Sequence, residues 1–170
     1  MPHVSATVVD PFIIDYDPGD AHSRAIAKWA KEGKMNSSEF SAAWANALVN
    51  QQTGLYGCRY GMMKHLSSDA AKFVEDGSVD VLFIDGLHTY EGALADVSNY
   101  WPKMKNKGLV IFNDWGTFFP GVKRAACEFV TPKGFEIIIG ADDFGPGQTN
   151  AAVVIGMQAR EHTPGACADG

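Results

Sequence analysis

The sequence lacks the signals that mark membrane, secreted and nucleic-acid-binding proteins. No apolar run approaches the roughly 20 residues that a membrane-spanning helix needs. The formal net charge is −6 and no run of basic residues occurs, which argues against a nucleic-acid backbone as the partner. The first residues, MPHVSATVVDP, have neither the basic nor the apolar segment of a secretory signal. These absences predict a soluble cytoplasmic protein that does not insert into membranes.

Cysteine is scarce, and the common glycine-rich phosphate-binding motifs are missing. The three cysteines, Cys58, Cys127 and Cys167, are widely spaced and form no CxxC pair, so we expect reduced thiols. No GxGxxG or GxxxxGK[ST] run occurs, which argues against a dinucleotide-binding or P-loop domain. With 170 residues, 46% of them hydrophobic and 20% charged, the chain is predicted to form one domain over residues 1–158, followed by a disordered tail over 159–170.

The segment from Val79 to Trp115 organises the rest of the chain. An apolar run, Val79 to Ile84, stops at Asp85, and a second run, Leu109 to Phe112, stops at Asn113-Asp114. Between them, apolar residues recur at helical spacing, at Leu94, Val97, Trp101 and Met104. Strand, helix and strand in this order predict a parallel βαβ unit whose sheet is covered on both faces.

Two acidic residues fall at the ends of the two predicted strands. If the strands are neighbours, Asp85 and Asp114 emerge roughly 5–10 Å apart, at the sheet edge where open α/β sheets bind ligands. With Asn113 as a third oxygen donor, this set suits Mg²⁺ or a similar cation. The alternative is that either acid caps the helix that follows it.

Elsewhere the patterning predicts an α/β sheet, mostly parallel, that ends in an antiparallel strand. The predicted strands are Ala6–Val9, an interrupted stretch over 54–63, Phe135–Ile139 and Ala151–Met157. The predicted helices are Ala21–Lys34, with Ile26 and Trp29-Ala30 facing inward, a second over 39–50, a short one over Ala70–Glu75, and Val122–Val130. The connection over 142–149 is too short for a crossover helix, which makes the last strand antiparallel.

The stretch from Ser67 to Val130 resembles the class I S-adenosylmethionine-dependent methyltransferases, in the branch of the macrocin-type sugar O-methyltransferases. The resemblance is carried by Ser67 with Asp69-Ala70-Ala71, the FIDGLHTYEG segment, Asp96, Trp101-Pro102-Lys103, Gly108, the Asn113-Asp114-Trp115 triplet and Gly121-Val122. It implies a Rossmann-like three-layer sandwich, with S-adenosylmethionine as methyl donor and a divalent cation at Asp85, Asn113 and Asp114. By the same resemblance, Asp10 binds the ribose and Ser67 the adenine edge. Alternatively, Asp10-Pro11 forms a plain turn and Ser67 caps a helix.

Other residues near the predicted site have two interpretations each. His88 is a candidate general base for a substrate hydroxyl, or it holds its loop and orients Asp114. Trp115 either packs against adenine or the substrate, or belongs to the core. Asp85 is further expected to take part in the chemistry and to border the cofactor, and Phe118 and Phe119 are candidates to contact the substrate.

One departure from the family concerns the start of the chain. The resemblance implies a first strand with a glycine-rich loop, and Val4 to Asp10 matches the second strand instead. The expectation is therefore an N-terminally truncated fold with two unpaired sheet edges, through which the chain could form a homodimer. The sequence thus predicts a cation-assisted O-methyltransferase acting on a small-molecule hydroxyl. The alternative is a non-catalytic remnant that binds a partner or dimerises.

Overall fold

The computed structural model describes residues 5–13, 17–34, 60–116, 118–139, 148–154 and 167. The helix predicted over 39–50, most of the predicted connection over 142–149 and the tail, apart from Cys167, lie outside these ranges. The chain divides into two compact units, residues 1–70 and 71–170. Nothing in the structure tests the predicted boundary at residue 158.

The first unit contains a pair of parallel strands. Strand β1 (Ala6–Val9) pairs in parallel with β2 (Tyr60–Met63), and Ala6 lies opposite Tyr60. Helix α1 (Ala21–Lys31) begins at Asp20, whose buried carboxylate accepts a hydrogen bond from the Ser23 backbone N–H at 2.7 Å. A short helix, α2 (Ser67–Ala70), ends this unit.

The second unit is built on a four-stranded sheet in the order β3-β4-β6-β5. Its strands are β3 (Val79–Ile84), β4 (Met104–Gly116), β5 (Ile138–Ile139) and β6 (Gln148–Val154). Strands β3 and β4 are parallel, whereas β6 is antiparallel to both of its neighbours. The predicted α/β fold, with a final antiparallel strand, is therefore confirmed.

Two helices cover one face of this sheet. Helix α3 (Tyr90–Tyr100) follows the first strand, and α4 (Pro120–Val130) follows the second. Short 3₁₀ turns continue α2, α3 and α4. The core contains Val97 of α3, Val110 and Phe112 of β4, and Val130 of α4, each fully buried. Of the four apolar residues predicted for this helix, Leu94 and Val97 lie in α3 and pack in the core, whereas Trp101 lies in the 3₁₀ turn and Met104 begins β4.

The structure corrects three of the predictions. Trp29 is 44% exposed, because the buried side of α1 is centred on Ala27 and Trp29 points away from it. The short helix begins at Ser67 rather than Ala70, so its serines lie inside the first turn. Cys127 and Cys167 form a disulfide with their Cα atoms 5.7 Å apart, so they are not reduced thiols.

The described helices are short. None of them is long and apolar enough to cross a lipid bilayer.

Candidate functional site

The predicted acids meet at one edge of the second sheet. Ile84 of β3 lies opposite Phe112 of β4, so the carboxyl ends of the two parallel strands coincide. Asp85 follows the first of these residues, and Asp114 comes two residues after the second. One ligand atom each from Asp85, Asp114 and His88 lies within 4.8 Å of the others. The structure therefore brings the two acids together at this edge of the sheet.

A β-bulge directs two consecutive side chains of β4 to this site. Phe112 pairs with Ala151 and Trp115 with Thr149. Between these two pairs β4 has two residues, 113 and 114, whereas β6 has only one. Asp114 adopts a φ of +55°, the left-handed region that side chains other than glycine rarely occupy. In a regular strand Asn113 and Asp114 would point to opposite faces. The bulge lets both contribute to one cluster.

The amide of Asn113 bridges the two carboxylates. Its Nδ2 donates to Oδ1 of Asp85 at 2.7 Å and to Oδ2 of Asp114 at 3.0 Å. The two acids are therefore held close together and share a donor. Neither caps a helix, since the N-caps of α3 and α4 are Thr89 and Phe119. A half-turn of the amide would present its oxygen to a cation, the orientation that the predicted metal role requires.

His88 contacts Asp114 directly. Its Nε2 lies 2.8 Å from Oδ2 of Asp114, and its side chain is only 10% exposed. The ring of Phe119 covers it, with the two ring centroids 4.2 Å apart. The predicted contact that orients Asp114 is therefore present, and the role as a general base stays a prediction.

Two glycines allow the loop that carries His88 to pack tightly. A Cβ on Gly121 of α4 would lie 2.6 Å from the backbone nitrogen of Tyr90 and 2.9 Å from the carbonyl oxygen of His88. A Cβ on Gly86 would lie 2.6 Å from Oδ2 of Asp96, a residue of α3. At Gly121 the neighbouring atoms belong to the backbone, so only glycine permits this approach, whereas at Gly86 the neighbour is the end of the Asp96 side chain, which can move.

The first residue of α3 is fastened to α4 by a polar cluster that the sequence did not predict. The Tyr90 hydroxyl donates to Oε2 of Glu128 at 2.6 Å, and Nε of Arg124 donates to Oε1 at 2.9 Å. The Arg124 guanidinium also lies 4.2 Å from the centre of the Tyr90 ring. The bond to the Glu128 carboxylate raises the pKa of Tyr90, and the bond from Arg124 lowers the pKa of Glu128.

The remaining candidates have separate positions. Asp10 and Ser67 follow the carboxyl ends of β1 and β2, in the first unit. The Asp10 carboxylate accepts a hydrogen bond from the Phe12 backbone N–H at 2.6 Å, so the turn predicted as its alternative role is present. Trp115 is 3% exposed and packs in the hydrophobic core, which favours the interpretation that it is a core residue. Phe118 is 66% exposed. The roles of these residues toward a cofactor or substrate stay predictions.

A family comparison identifies the domain. A family model described as "Methyltransferase domain" matches residues 6–115, which include both acids of the site. The chain belongs to this methyltransferase-domain family. The matched range runs from β1 to the bulge in β4, so it covers every predicted site residue except Phe118 and Phe119.

Solved structures share the fold of this methyltransferase domain at low sequence identity. The O-methyltransferase NovP is 18% identical, with a TM-score of 0.58, over 89% of this chain and 60% of its own. Cofactor-bound Rv0187 from MTB is 12% identical, with a TM-score of 0.54, over 89% of this chain and 62% of its own. CalS11, a TDP-rhamnose 3′-O-methyltransferase, is 12% identical, with a TM-score of 0.50, over 86% of this chain and 57% of its own.

The sequence comparison adds one short match. An uncharacterized protein of Sinorhizobium fredii is 36% identical over 53 residues, which are 31% of this chain and 6% of that protein. The chain thus spans about three fifths of the solved structures that it resembles and a small part of this relative.

Proposed function

We propose that the methyltransferase domain transfers a methyl group from S-adenosylmethionine to a hydroxyl of a small molecule, assisted by a divalent cation. The observation that carries this proposal is the cluster of Asp85, Asp114 and His88 at the carboxyl edge of β3 and β4, inside the range that matches the family. NovP and CalS11, which share the fold, are both described as O-methyltransferases. The macrocin-type branch remains part of the proposal.

The donor set fits a hard divalent cation. Asp85 and Asp114 offer carboxylate oxygens, and Asn113 offers an amide oxygen after a half-turn of its side chain. A cation bound there would acidify an acceptor hydroxyl and stabilise the developing alkoxide. Asp85 is exposed, so an acceptor could reach a cation held there.

The chain's own residues would align the acceptor and remove its proton. In-line transfer forms a bond between the acceptor oxygen and the methyl carbon as the carbon–sulfur bond breaks, so catalysis depends mainly on alignment. His88 donates its Nε2–H to the Asp114 carboxylate, so the lone pair on its Nδ1 would be the base that takes the proton of the hydroxyl. Asp10, an exposed acid at the end of β1, keeps free lone pairs on its carboxylate for the two ribose hydroxyls.

Calorimetric titration tests the cofactor part of the proposal. S-adenosylmethionine and S-adenosylhomocysteine are titrated into the chain with and without Mg²⁺, and an Asp10→Asn variant serves as comparison. We expect binding to the wild type and a loss of at least tenfold in the variant, because two hydrogen bonds to a charged acceptor are weakened. No binding at millimolar ligand would contradict the enzymatic role of this chain.

A second candidate function is association through the edge of the second sheet. Within the part of the chain that the structure describes, β3 pairs only with β4, although five of its six residues are apolar. Val81 and Phe83 of this strand are 57% and 52% exposed. An apolar edge strand of this kind invites pairing with another strand, such as that of a second copy. Light scattering combined with size-exclusion chromatography decides between monomer and dimer.

A further inference from the structure

The two sulfurs of the disulfide differ in their access to solvent. Cys127 lies in α4, is half-buried and packs against the hydrophobic core, whereas Cys167 is exposed. The Thr131 hydroxyl lies 3.8 Å from Sγ of Cys167 and is the donor of this contact, because a sulfur in a disulfide carries no hydrogen. A thiol from outside therefore reaches Sγ of Cys167 more readily than Sγ of Cys127.

The bond closes a segment of the chain that contains the last two strands of the sheet. The 40-residue separation of the cysteines spans both β5 and β6. If these strands detach from the sheet, the bond still ties both ends of the closed segment to α4, so the detached segment gains less conformational entropy. Two free thiols impose no such restriction. The bond therefore opposes local opening of β5 and β6.

These strands lie at a weakly supported end of the sheet. Strand β5 has two residues and, in the part of the chain that the structure describes, it pairs only with β6. Its residues Ile138 and Ile139 are 52% and 45% exposed. Segments with little buried surface open at a lower free energy than the core of a protein. The disulfide thus stabilises a part of the second unit that is expected to open easily.

Strand β6 also defines the bulge in β4 that places Asp114 in the site. It pairs with β4 on both sides of the bulge, at Phe112 and at Trp115. Because the bulge exists only relative to these pairs, detachment of β6 removes the constraint that keeps Asp114 at a φ of +55°. Opening at β6 is therefore transmitted to the carboxylate that contacts His88.

We propose that the Cys127–Cys167 disulfide is a redox switch, whose reduction by a dithiol loosens β6 and, through the bulge, the site around Asp114. A thiolate of the dithiol attacks the exposed Sγ of Cys167, the bond to Cys127 breaks, and the Cys127 thiolate takes up a proton. The second thiol of the reductant then displaces Cys167. Two electrons have passed to the chain, which holds two thiols, and the reductant is left as a disulfide. This switch lies outside the proposed methyl transfer and does not depend on it.

Hydrogen–deuterium exchange followed by mass spectrometry tests the switch in the full chain. The oxidised wild type is compared with the same protein after reduction by dithiothreitol. We expect reduction to accelerate exchange at least about tenfold in peptides of β6 and in peptides that cover residues 113–116, because β6 opens more readily. Peptides of β2, in the first unit, are the internal control, because their opening does not involve the closed segment, and they should change by less than about threefold.

A Cys127→Ser/Cys167→Ser variant is the matched control for the reductant. It should exchange like the reduced wild type in β6 and should not respond to dithiothreitol. Cys58→Ser, which removes the third cysteine, should respond as the wild type does, and reoxidation of the wild type should restore slow exchange. Unchanged exchange in β6 on reduction, equal acceleration in β2, or acceleration in β6 with none at residues 113–116 would each overturn the proposal. No cofactor or cation is present, so the result is independent of the proposed methyl transfer.

Discussion

His88 and Asp114 are 26 residues apart in the chain, yet Nε2 of the first lies 2.8 Å from Oδ2 of the second. The contact joins the loop after β3 to the bulge in β4, and parallel pairing of the two strands brings these segments together. Since Asn113 ties Asp114 to Asp85 as well, the four side chains form one connected group. Substitutions of residues that hold this group in place should therefore change both the stability of the fold and the binding of a cation.

The strained backbone of Asp114 yields a prediction with a defined sign. At a φ of +55°, glycine carries no steric penalty, whereas alanine carries about 1 kcal/mol. We expect Asp114→Gly to be more stable than Asp114→Ala by about 1 kcal/mol, although both lose the carboxylate. Urea denaturation measures the difference. The same pair at Asp85, which has no left-handed φ, should show no advantage for glycine, and an advantage there would contradict the explanation.

At Gly121 a native glycine can be replaced by alanine, the residue that an α-helix ordinarily favours, which tests whether the tight packing at this position matters. If packing were unimportant, Gly121→Ala would stabilise α4 by about 0.5–1 kcal/mol. The new Cβ would, however, lie 2.6 Å from the backbone nitrogen of Tyr90, so we expect destabilisation by about 1–3 kcal/mol. Thermal unfolding shows the sign. A stabilised variant would mean that the start of α4 does not press on the loop of His88.

The contact between Tyr90 and Glu128 should be visible in pH titrations. The hydrogen bond to the Glu128 carboxylate, the largest cause, raises the pKa of Tyr90 above its ordinary value. Glu128→Gln should move the Tyr90 titration, followed by ultraviolet absorbance against Tyr90→Phe, back toward lower pH. Because the folded pKa is raised, this contribution to stability is complete below pH 10 or so and is lost as pH rises through the folded pKa.

The same variant has a signature at acidic pH. Hydrogen bonds from Arg124 and Tyr90 lower the pKa of Glu128, so its contribution to stability is present above the unfolded pKa and disappears as pH falls through the folded one. The stability difference between wild type and Glu128→Gln should therefore shrink on acidification. A difference that is constant with pH would contradict the proposed contact.

The disulfide between Cys127 and Cys167 closes a segment of 40 residues. A loop of this length stabilises the folded state by about 3–4 kcal/mol through the entropy of the unfolded chain. Dithiothreitol should therefore lower the free energy of unfolding of the wild type by about that amount. Cys167→Ser should unfold identically with and without the reductant. A wild type that is insensitive to dithiothreitol would show that the bond is not formed in solution.

Much of the site could be predicted because strand ends are visible in the sequence. The apolar runs before Asp85 and before Asn113-Asp114 predicted the parallel pair, and parallel pairing alone places their ends at one edge. The bulge could not be predicted, because no particular residue type is required for it. The left-handed backbone conformation lies at Asp114, whereas a glycine at this position would have indicated it. Contacts between distant helices, such as Tyr90 with Glu128, likewise depend on packing that local patterns do not encode.

The predictions that were wrong have a similar origin. Trp29 was predicted to face inward with Ile26, but the buried residue of α1 is the small Ala27. The spacing of the cysteines gave no indication of a bond, because a separation of 40 residues matches no known motif. Both outcomes were decided by tertiary contacts rather than by local sequence.

The central claim is that Asp85 and Asp114 hold a divalent cation, and thermal unfolding in a Mg²⁺ series tests it most directly. At 100 times the dissociation constant, a cation bound only to the folded chain stabilises it by about 2.7 kcal/mol. We expect this gain in the wild type and in the control Asp76→Ala/Asp80→Ala, whose acids pair with Lys103 and Lys105 at the other edge of the sheet. We expect no gain in Asp85→Ala/Asp114→Ala. Equal stabilisation of this double variant would contradict the account.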